Sequence, residues 1–164
     1  MADVSKSNLL KTAGDIPLLT NANVVIVRTE WNDAIVSELE LGCRQVLEKA
    51  GVGYRVVTIP GAFEIPFAIR AFWDAHKYKE DRPNAFIALG CVLRGDTPHF
   101  EYVCRAVTDG VLQLNLSLPL PTIFGVLTVD TQQQAEDRIG GKQGHKGEEA
   151  AVSAIKMIAL QKTI

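Results

Sequence analysis

Four short apolar segments, separated by stretches with helical periodicity, constrain the fold of this chain more than any other feature. The first contains the continuous β-branched run Val-Val-Ile-Val at residues 24–27. Such a run is typical of a strand that is buried on both faces, as in a parallel sheet covered by helices. The other apolar segments lie at residues 54–59, 86–93 and 123–129.

Helical patterns follow each of these strands. We expect helices from Asn32 or Asp33 to about residue 50, then over 63–78, 100–116, 131–139 and 146–160. Alternation at this spacing predicts a parallel sheet with right-handed crossovers and helices on both of its faces. In sheets of this kind, ligands bind outside the carboxyl ends of the strands. The segments that should meet at that edge are 29–31, 60–64, 91–99 and the residues after Val129.

The overall composition limits the classes of function. A chain of 164 residues suits one domain with a sizeable core, and a net charge of −2 argues against general nucleic-acid binding. No segment approaches the roughly 20 apolar residues that span a bilayer, so we expect no membrane contact. The cysteines (Cys43, Cys91 and Cys104) are too few for a disulfide framework, and their apolar neighbours favour free thiols. These features predict a cytoplasmic protein.

The sequence divides into a short N-terminal segment and one domain. Residues 1–21 are polar and irregular, which predicts an N-terminal arm or a flexible tail. Residues 22–164 then form a single domain.

The three histidines are too far apart along the chain to make a metal-binding motif, so no metal is expected.

The turn at residues 94–99, Arg-Gly-Asp-Thr-Pro-His, joins the third strand to the next helix. Gly95 lets the backbone approach a ligand closely, and Thr97 offers a hydroxyl. An imidazole at His99 can move protons near neutral pH, and the helix N-terminus suits an anion. The turn therefore predicts an anionic substrate and proton transfer. The alternative is a helix cap with an incidental histidine.

Three other side chains at the same edge have a functional and a structural interpretation. Trp31 can stack on a flat heterocycle, or it can pack at the rim against a neighbouring helix. Glu64 can accept hydrogen bonds from a polyol, or it can simply favour the start of a helix. Cys91 can act as a nucleophile beside His99, although a small buried apolar residue explains it better.

A glycine-rich loop near the C-terminus is surrounded by basic residues. Arg138 precedes it, Lys142 lies within it and Lys146 follows it, without the spacing of a Walker motif. Glycine-rich loops with basic residues often contact phosphate, whereas solvated surface lysines are an equally common explanation.

Several motifs occur together and in a fixed order along residues 22–162. They are Trp31 after the first strand, Pro-Gly-Ala-Phe-Glu-Ile-Pro at 60–66, Ala-Leu-Gly-Cys-Val-Leu-Arg-Gly-Asp-Thr-Pro-His-Phe-Glu-Tyr-Val at 88–103, Pro-Thr-Ile-Phe-Gly-Val-Leu-Thr at 121–128, Gln-Ala at 134–135 with Arg138, and Gly-Lys-Gln-Gly-His-Lys-Gly at 141–147. In this combination the chain resembles the lumazine synthases, which catalyse the penultimate step of riboflavin biosynthesis.

The resemblance implies a three-layer α-β-α sandwich with a four-stranded, mainly parallel sheet of the flavodoxin-like kind. It implies that the N-terminal arm is either flexible or joined to a neighbour's sheet. The implied reaction condenses 5-amino-6-(D-ribitylamino)uracil with 3,4-dihydroxy-2-butanone 4-phosphate, releasing phosphate and water. The product is 6,7-dimethyl-8-ribityllumazine, and no metal or organic cofactor takes part.

The resemblance also assigns roles to individual positions. His99 is the implied catalytic residue for proton transfer, and Trp31 stacks on the pyrimidine ring. The ribityl chain, the heterocycle and the phosphate are contacted by the remaining positions. These are Ala62, Phe63 and Glu64 for the ribityl chain; backbone groups of Cys91, Val92 and Leu93 for the heterocycle; Asp96 and Thr97 for the phosphate; and Phe124 and Arg138 of a neighbouring subunit, with Arg138 on the phosphate and Lys146 close by.

The partners implied are the two small-molecule substrates and further copies of this chain. The resemblance implies a homopentamer, which in some members builds a hollow shell of sixty subunits, and it makes riboflavin synthase a candidate partner. Two other functions stay open at this point. The chain could be a non-catalytic homologue that binds or stores a flavin through Trp31, where phenylalanine is more frequent in the family. A flavodoxin-like electron carrier is disfavoured because the Ser/Thr-rich phosphate loop after the first strand is missing.

Overall fold

A computed structural model describes residues 16–164 of the protein. The strands are β1 (Asn23–Thr29), β2 (Gly53–Ile59), β3 (Ala85–Leu93), β4 (Thr122–Val129), β5 (Ile139–Gly141) and β6 (Gly144–His145). The α-helices are α1 (Asp33–Lys49), α2 (Ile65–His76), α3 (His99–Ser117), α4 (Gln132–Glu136) and α5 (Lys146–Gln161), and a short 3-10 helix spans Ala62–Glu64.

The main sheet has four strands in the order β2-β1-β3-β4, and all of its neighbouring pairs are parallel. The predicted three-layer α/β architecture is therefore confirmed. From β1 the chain moves outward to β2 in one direction and then to β3 on the other side. The strand order thus reverses between β1 and β3, and this is the place where parallel sheets open a crevice for ligands.

The continuous apolar run of β1 supplies both faces of the sheet. Val24 and Ile26 lie in the core formed with α1 and α5, whereas Val25 and Val27 lie in the core formed with α2 and α3. Alternate residues of a strand point to opposite faces, so a strand covered by helices on both sides must be apolar throughout. This alternation therefore places one layer of helices on each face of the sheet.

The start of α1 differs from the sequence-based expectation. Asn32 occupies the N-cap position, but its backbone is left-handed (φ 59°, ψ 41°) and its side chain does not cap the helix. At the other end Gly51 has a φ of 70°, the conformation that commonly follows a helix.

Two short elements were not predicted. The 3-10 turn Ala62–Glu64 precedes α2, which begins at Ile65 with a proline in its first turn. The glycine-rich segment after α4 is not only a loop, because β5 and β6 pair there as a small antiparallel hairpin. Positive φ angles at Gly140 (114°) and Gly144 (75°) make this tight turn feasible. The predicted helix over 131–139 is correspondingly shorter.

The segment before β1 is in contact with the core. Leu19 is buried, and its N–H donates to the carbonyl of Ala50 at 3.1 Å. The remainder of the predicted arm, residues 1–15, lies outside the described residues. Within residues 16–164 no helix combines the length and the apolar character needed to cross a membrane.

Candidate active site

A cavity of about 570 Å³ opens at the carboxyl edge of the sheet, where the strand order reverses. Its walls come from the residues after β1, the turn after β2, the end of β3 and the first turns of α3. The lining residues are Trp31, Asn32, Gly61, Ala62, Phe63, Glu64, Cys91, Val92, Leu93, His99 and Val103.

Most of the positions singled out in the sequence thus come together in one place. Eight of them line the cavity, namely Trp31, Ala62, Phe63, Glu64, Cys91, Val92, Leu93 and His99. The others lie outside its lining, namely Asp96, Thr97, Phe124, Arg138 and Lys146.

Two large aromatic side chains at the cavity are exposed to solvent. Trp31 is 73% exposed and Phe63 is 62% exposed, although both are apolar. The backbone of Trp31 is held by two hydrogen bonds: its N–H donates to the Pro60 carbonyl at 3.2 Å, and Thr29 Oγ1 donates to its carbonyl at 3.3 Å. Exposed aromatic rings on a rigid rim are available to stack on a ligand.

Glu64 ends the 3-10 turn and occupies the N-cap position of α2, where the helix dipole favours a carboxylate. Its side chain makes no hydrogen bond or ion pair with the described residues. The carboxylate is close to Gly61, since a Cβ added there would lie 3.0 Å from Glu64 Oε2. Both interpretations of Glu64 are therefore compatible with its position, and the carboxylate is free to accept hydrogen bonds from hydroxyl groups.

Cys91 is a buried residue rather than an activated nucleophile. The residue is only 5% exposed, and burial raises the pKa of its thiol from 9.0 to about 11. A thiol with this pKa stays protonated at neutral pH, and the thiolate is the nucleophilic form. Cys91 therefore contributes packing and its backbone groups to the cavity.

His99 begins α3 and is exposed at the cavity. Its backbone N–H donates to Thr97 Oγ1 at 3.4 Å, and its ring has no partner among the described residues. Thr97 and Asp96 lie in the exposed turn before it. The imidazole is thus held on a rigid helix while both of its nitrogens remain available to a substrate.

Arg94 braces the turn that carries His99. Its guanidinium pairs with Asp130 after β4 and with Glu101 in α3, the latter at 2.7 Å, and it lies 4.1 Å from the centroid of the Phe100 ring. Hydrogen bonds to Asp130 and Glu101 raise the pKa of Arg94 above its usual value. Because two carboxylates already neutralise Arg94, its charge stabilises the turn and is not available to a ligand.

The positions outside the cavity have partners of their own. Phe124 is half-buried against the core between the sheet and helices α2 and α3. Arg138 donates from Nη1 to the Gln134 carbonyl at 2.7 Å, and Lys142 pairs with Asp137 at 3.1 Å. Lys146 is only 4% exposed and forms an ion pair with Glu149. In the described part of the chain these residues are separate from the cavity lining.

Three residues of the lining were not assigned a site role from the sequence: Gly61, which lies in the predicted segment 60–64, and Asn32 and Val103. Asn32 was expected only to cap α1, and Val103 was not assigned a role. Val103 lies one helical turn after His99, so the i, i+4 relationship on α3 could have identified it. For Asn32 the available signal was its position directly after Trp31, combined with the tolerance of asparagine for left-handed backbone. Among the described residues, no cluster of potential metal ligands is present.

Fold and cavity together define a flavodoxin-like α/β protein with a small-molecule site at the carboxyl edge of its sheet. Residues 21–162 match the sequence model of the family described as 6,7-dimethyl-8-ribityllumazine synthase. The chain belongs to this family.

Three relatives illustrate how extensive the similarity is, and each is named 6,7-dimethyl-8-ribityllumazine synthase. The protein from Parabacteroides distasonis is 47% identical over 146 residues, covering 87% of this chain and 88% of the relative. Those from Phocaeicola vulgatus and Cytophaga hutchinsonii are each 44% identical over 155 residues. The alignment with the Phocaeicola vulgatus protein covers 90% of this chain and 89% of that relative. The alignment with the Cytophaga hutchinsonii protein covers 93% of this chain and 94% of that relative.

Proposed function

We propose that this protein is a 6,7-dimethyl-8-ribityllumazine synthase. It condenses 5-amino-6-(D-ribitylamino)uracil with 3,4-dihydroxy-2-butanone 4-phosphate in the penultimate step of riboflavin biosynthesis. The observation that carries the proposal is the convergence of Trp31, Glu64 and His99 on one cavity in a chain that belongs to this family. The free cysteines accord with a reducing compartment, and we place the reaction in the cytoplasm.

The cavity suits the pyrimidine substrate. Its heterocycle stacks on Trp31, while backbone groups of residues 91–93 pair with the polar edge of the ring. The hydroxyls of the ribityl chain donate to Glu64, and Ala62 and Phe63 pack along the chain. The volume of about 570 Å³ lies in the usual range for small-molecule sites.

The phosphate substrate needs a cation that the cavity of a single subunit does not supply. In the described part of the chain, the lining contains neither lysine nor arginine, and Arg94 is neutralised by two carboxylates. A guanidinium binds phosphate in a bidentate manner, which makes Arg138 of a neighbouring subunit the best anchor. Phe124 of that neighbour closes the site and its Lys146 lies near Arg138. Asp96 and Thr97 approach the phosphate from the turn before His99.

A site shared between subunits requires an oligomer with a repeated, head-to-tail interface. A closed ring satisfies this requirement for every copy at once, and we propose a homopentamer. Exposed apolar side chains on the layer formed by α2 and α3, namely Phe67, Tyr102, Leu112 and Leu116, are consistent with such an interface. The product would then pass to riboflavin synthase.

The chemistry needs orientation and proton transfer. Attack of the pyrimidine amine on the ketone carbonyl with loss of water, elimination of phosphate, and ring closure with loss of a second water all move protons at one locus. Holding two reactive substrates side by side supplies much of the acceleration. His99, with its ring nitrogens free, donates and accepts the protons, which contributes about 10²–10⁴-fold.

The experiment that tests this function is an absorbance and fluorescence assay of the purified protein with both substrates. A control without enzyme is essential because the condensation also proceeds slowly unaided. Lumazine formation well above the control is the expected result. Product at the control level from correctly assembled protein, together with tight riboflavin binding, would overturn the proposal in favour of flavin storage.

Subunit complementation tests the shared site separately. H99A and R138Q variants are dissociated, mixed in equal amounts and reassembled. If Arg138 acts in the neighbour's site, about a quarter of the sites in the mixed rings carry both wild-type residues, and activity returns accordingly. Activity that stays at the sum of the two parent variants would place Arg138 in its own subunit's site.

A further inference from the structure

The side chain of Asn32 bridges the crevice between the ends of β1 and β3. Its Nδ2 donates to the backbone carbonyl of Cys91 at 2.8 Å. A carbonyl oxygen can only accept, so the atom that faces it must be the amide nitrogen. The backbone carbonyl of Asn32 meanwhile accepts from the N–H groups of Ile35 and Val36, which begins α1 without help from the side chain.

This hydrogen bond falls where β3 has lost its neighbour on one side. The pairing of β1 with β3 ends at Arg28 and Leu89, whereas β3 continues to Leu93 with β4 alone. The Asn32 amide supplies a donor on the open side, two residues beyond the last β1 partner. The carbonyl that it holds belongs to Cys91, the first of the three β3 residues that line the cavity.

We infer that Asn32 is a positioning residue, which holds the backbone of residues 91–93 in the conformation that receives the pyrimidine ring. This inference rests on the proposed function, because that function assigns the heterocycle to these backbone groups. Asn32 acts through the carbonyl of Cys91.

Asparagine at position 32 could also be explained by its tolerance of a left-handed backbone alone. Backbone tolerance and hydrogen-bond donation respond differently to substitution. Glycine and aspartate both tolerate a φ of 59°, but neither offers the amide donor. If only backbone conformation matters, N32G and N32D behave like the wild type. If the amide positions the end of β3, both variants lose the hydrogen bond that holds the Cys91 carbonyl. N32D loses it with almost unchanged side-chain shape.

Asn115 offers a matched control at the amino end of the sheet. Its Nδ2 donates to the Thr122 carbonyl at 2.8 Å, and its Oδ1 accepts from the Thr122 N–H at 2.9 Å. N115D therefore removes an asparagine donor to a strand backbone at a place outside the cavity lining. It should lower stability while leaving the KM for the pyrimidine unchanged.

The experiment compares the wild type with N32G, N32D and N115D in their assembled form. Two quantities are measured: kcat and KM with 5-amino-6-(D-ribitylamino)uracil, and backbone hydrogen exchange over residues 91–94 without ligand. Loss of one neutral hydrogen bond should raise the KM about two- to tenfold in N32G, with kcat largely retained. N32D should raise the KM at least as much, because its carboxylate oxygen faces the Cys91 carbonyl oxygen and both atoms only accept. Exchange over residues 91–94 should be faster in both variants and unchanged in N115D.

The outcomes separate the inference from the proposed function. Wild-type product at the no-enzyme level overturns the proposed function. Unchanged exchange in N32D and N32G overturns the inference whatever the activity, because the backbone would then be held without Asn32. Faster exchange with an unchanged KM also overturns it, since the held backbone would not serve the substrate. Should N32G fail to assemble, N32D alone decides between these results.

Discussion

The ammonium of Lys146 lies 2.7 Å from Glu149 Oε1 and 2.9 Å from Glu149 Oε2, in the first turn of α5. Both side chains are at least 95% buried. The Lys146 backbone N–H also donates to the Arg138 carbonyl at 2.8 Å. The pair therefore anchors the hairpin that follows Arg138, and it leaves Lys146 little freedom to reach a ligand.

Breaking this pair should destabilise the protein strongly. E149Q leaves the charge of Lys146 buried without a counter-ion, and this costs about 3–5 kcal/mol in the free energy of unfolding. The double variant K146M/E149L removes both charges and should recover most of that loss. Urea unfolding at fixed protein concentration measures both values.

Asp74 and Lys77 provide the matched surface control for this prediction. They form an ion pair with the same i, i+3 spacing, at 3.0 Å, but both side chains are substantially exposed. D74N also removes the exposed pair of Asp74 with Arg70 at 2.9 Å, and it should still change the free energy of unfolding by less than about 1 kcal/mol, because water screens such pairs. An E149Q variant as stable as D74N would contradict the role given to the buried pair.

Removal of the His99 imidazole should lower turnover while leaving the assembly intact. H99A is expected to reduce kcat by about 10²-fold or more, in line with general acid–base catalysis. Stopped-flow measurement of lumazine formation gives kcat, and sedimentation velocity reports the assembly. H76A is the control, because His76 packs on Phe72 in α2 and does not line the cavity. A kcat for H99A equal to that of H76A would remove His99 from the mechanism.

Trp31 should report ligand binding directly. The chain has two tryptophans, and Trp73 is half-buried against the core, so a W73F variant leaves Trp31 as the only indole. Its fluorescence should be quenched when the pyrimidine substrate binds. W31A should raise the KM for that substrate about two- to tenfold, and W31F should retain most of the affinity. Equal KM values for W31A and the wild type would contradict stacking.

The Cys91 thiol should be unreactive at neutral pH. Its pKa is raised to about 11 by burial, so the thiol remains protonated well above physiological pH and the thiolate forms only as the pH approaches that value. Mass spectrometry after iodoacetamide treatment at pH 7.5 should find Cys91 largely unmodified. C91S should keep its turnover, and rapid alkylation together with loss of activity in C91S would restore the nucleophile hypothesis.

Periodicity was sufficient to predict the four-stranded parallel sheet and its helices, because a strand buried on both faces leaves an unmistakable apolar run. It did not predict the β5–β6 hairpin, whose short strands carry glycines and little apolar signal. Nor did it reveal that Lys146 is buried: a lysine that follows a glycine-rich loop has the same local pattern whether it meets solvent, phosphate or Glu149.

The site divides in the same way. Motif order singled out Trp31, Glu64, Cys91 and His99 as candidates, and the carboxyl-end rule predicted that they would meet at one edge; all four line the same cavity there. The hydrogen bond from Asn32 to the Cys91 carbonyl could not be foreseen, because the two residues are 59 positions apart along the chain. Arg138 and Phe124 lie outside the cavity of one subunit, and the proposal that a neighbour supplies them rests on the missing cation in the lining.

Sequence alone determined the layers and the family and predicted the edge of the sheet at which the cavity opens, because these depend on local periodicity and on residue order. Tertiary structure decided which side chains are free and which are already paired. Arg94, Arg138 and Lys146 are equivalent cations in the sequence, but each has a different partner in the fold. Whether a charge is available depends on its burial and on the carboxylates and carbonyls around it, and distant segments supply most of these.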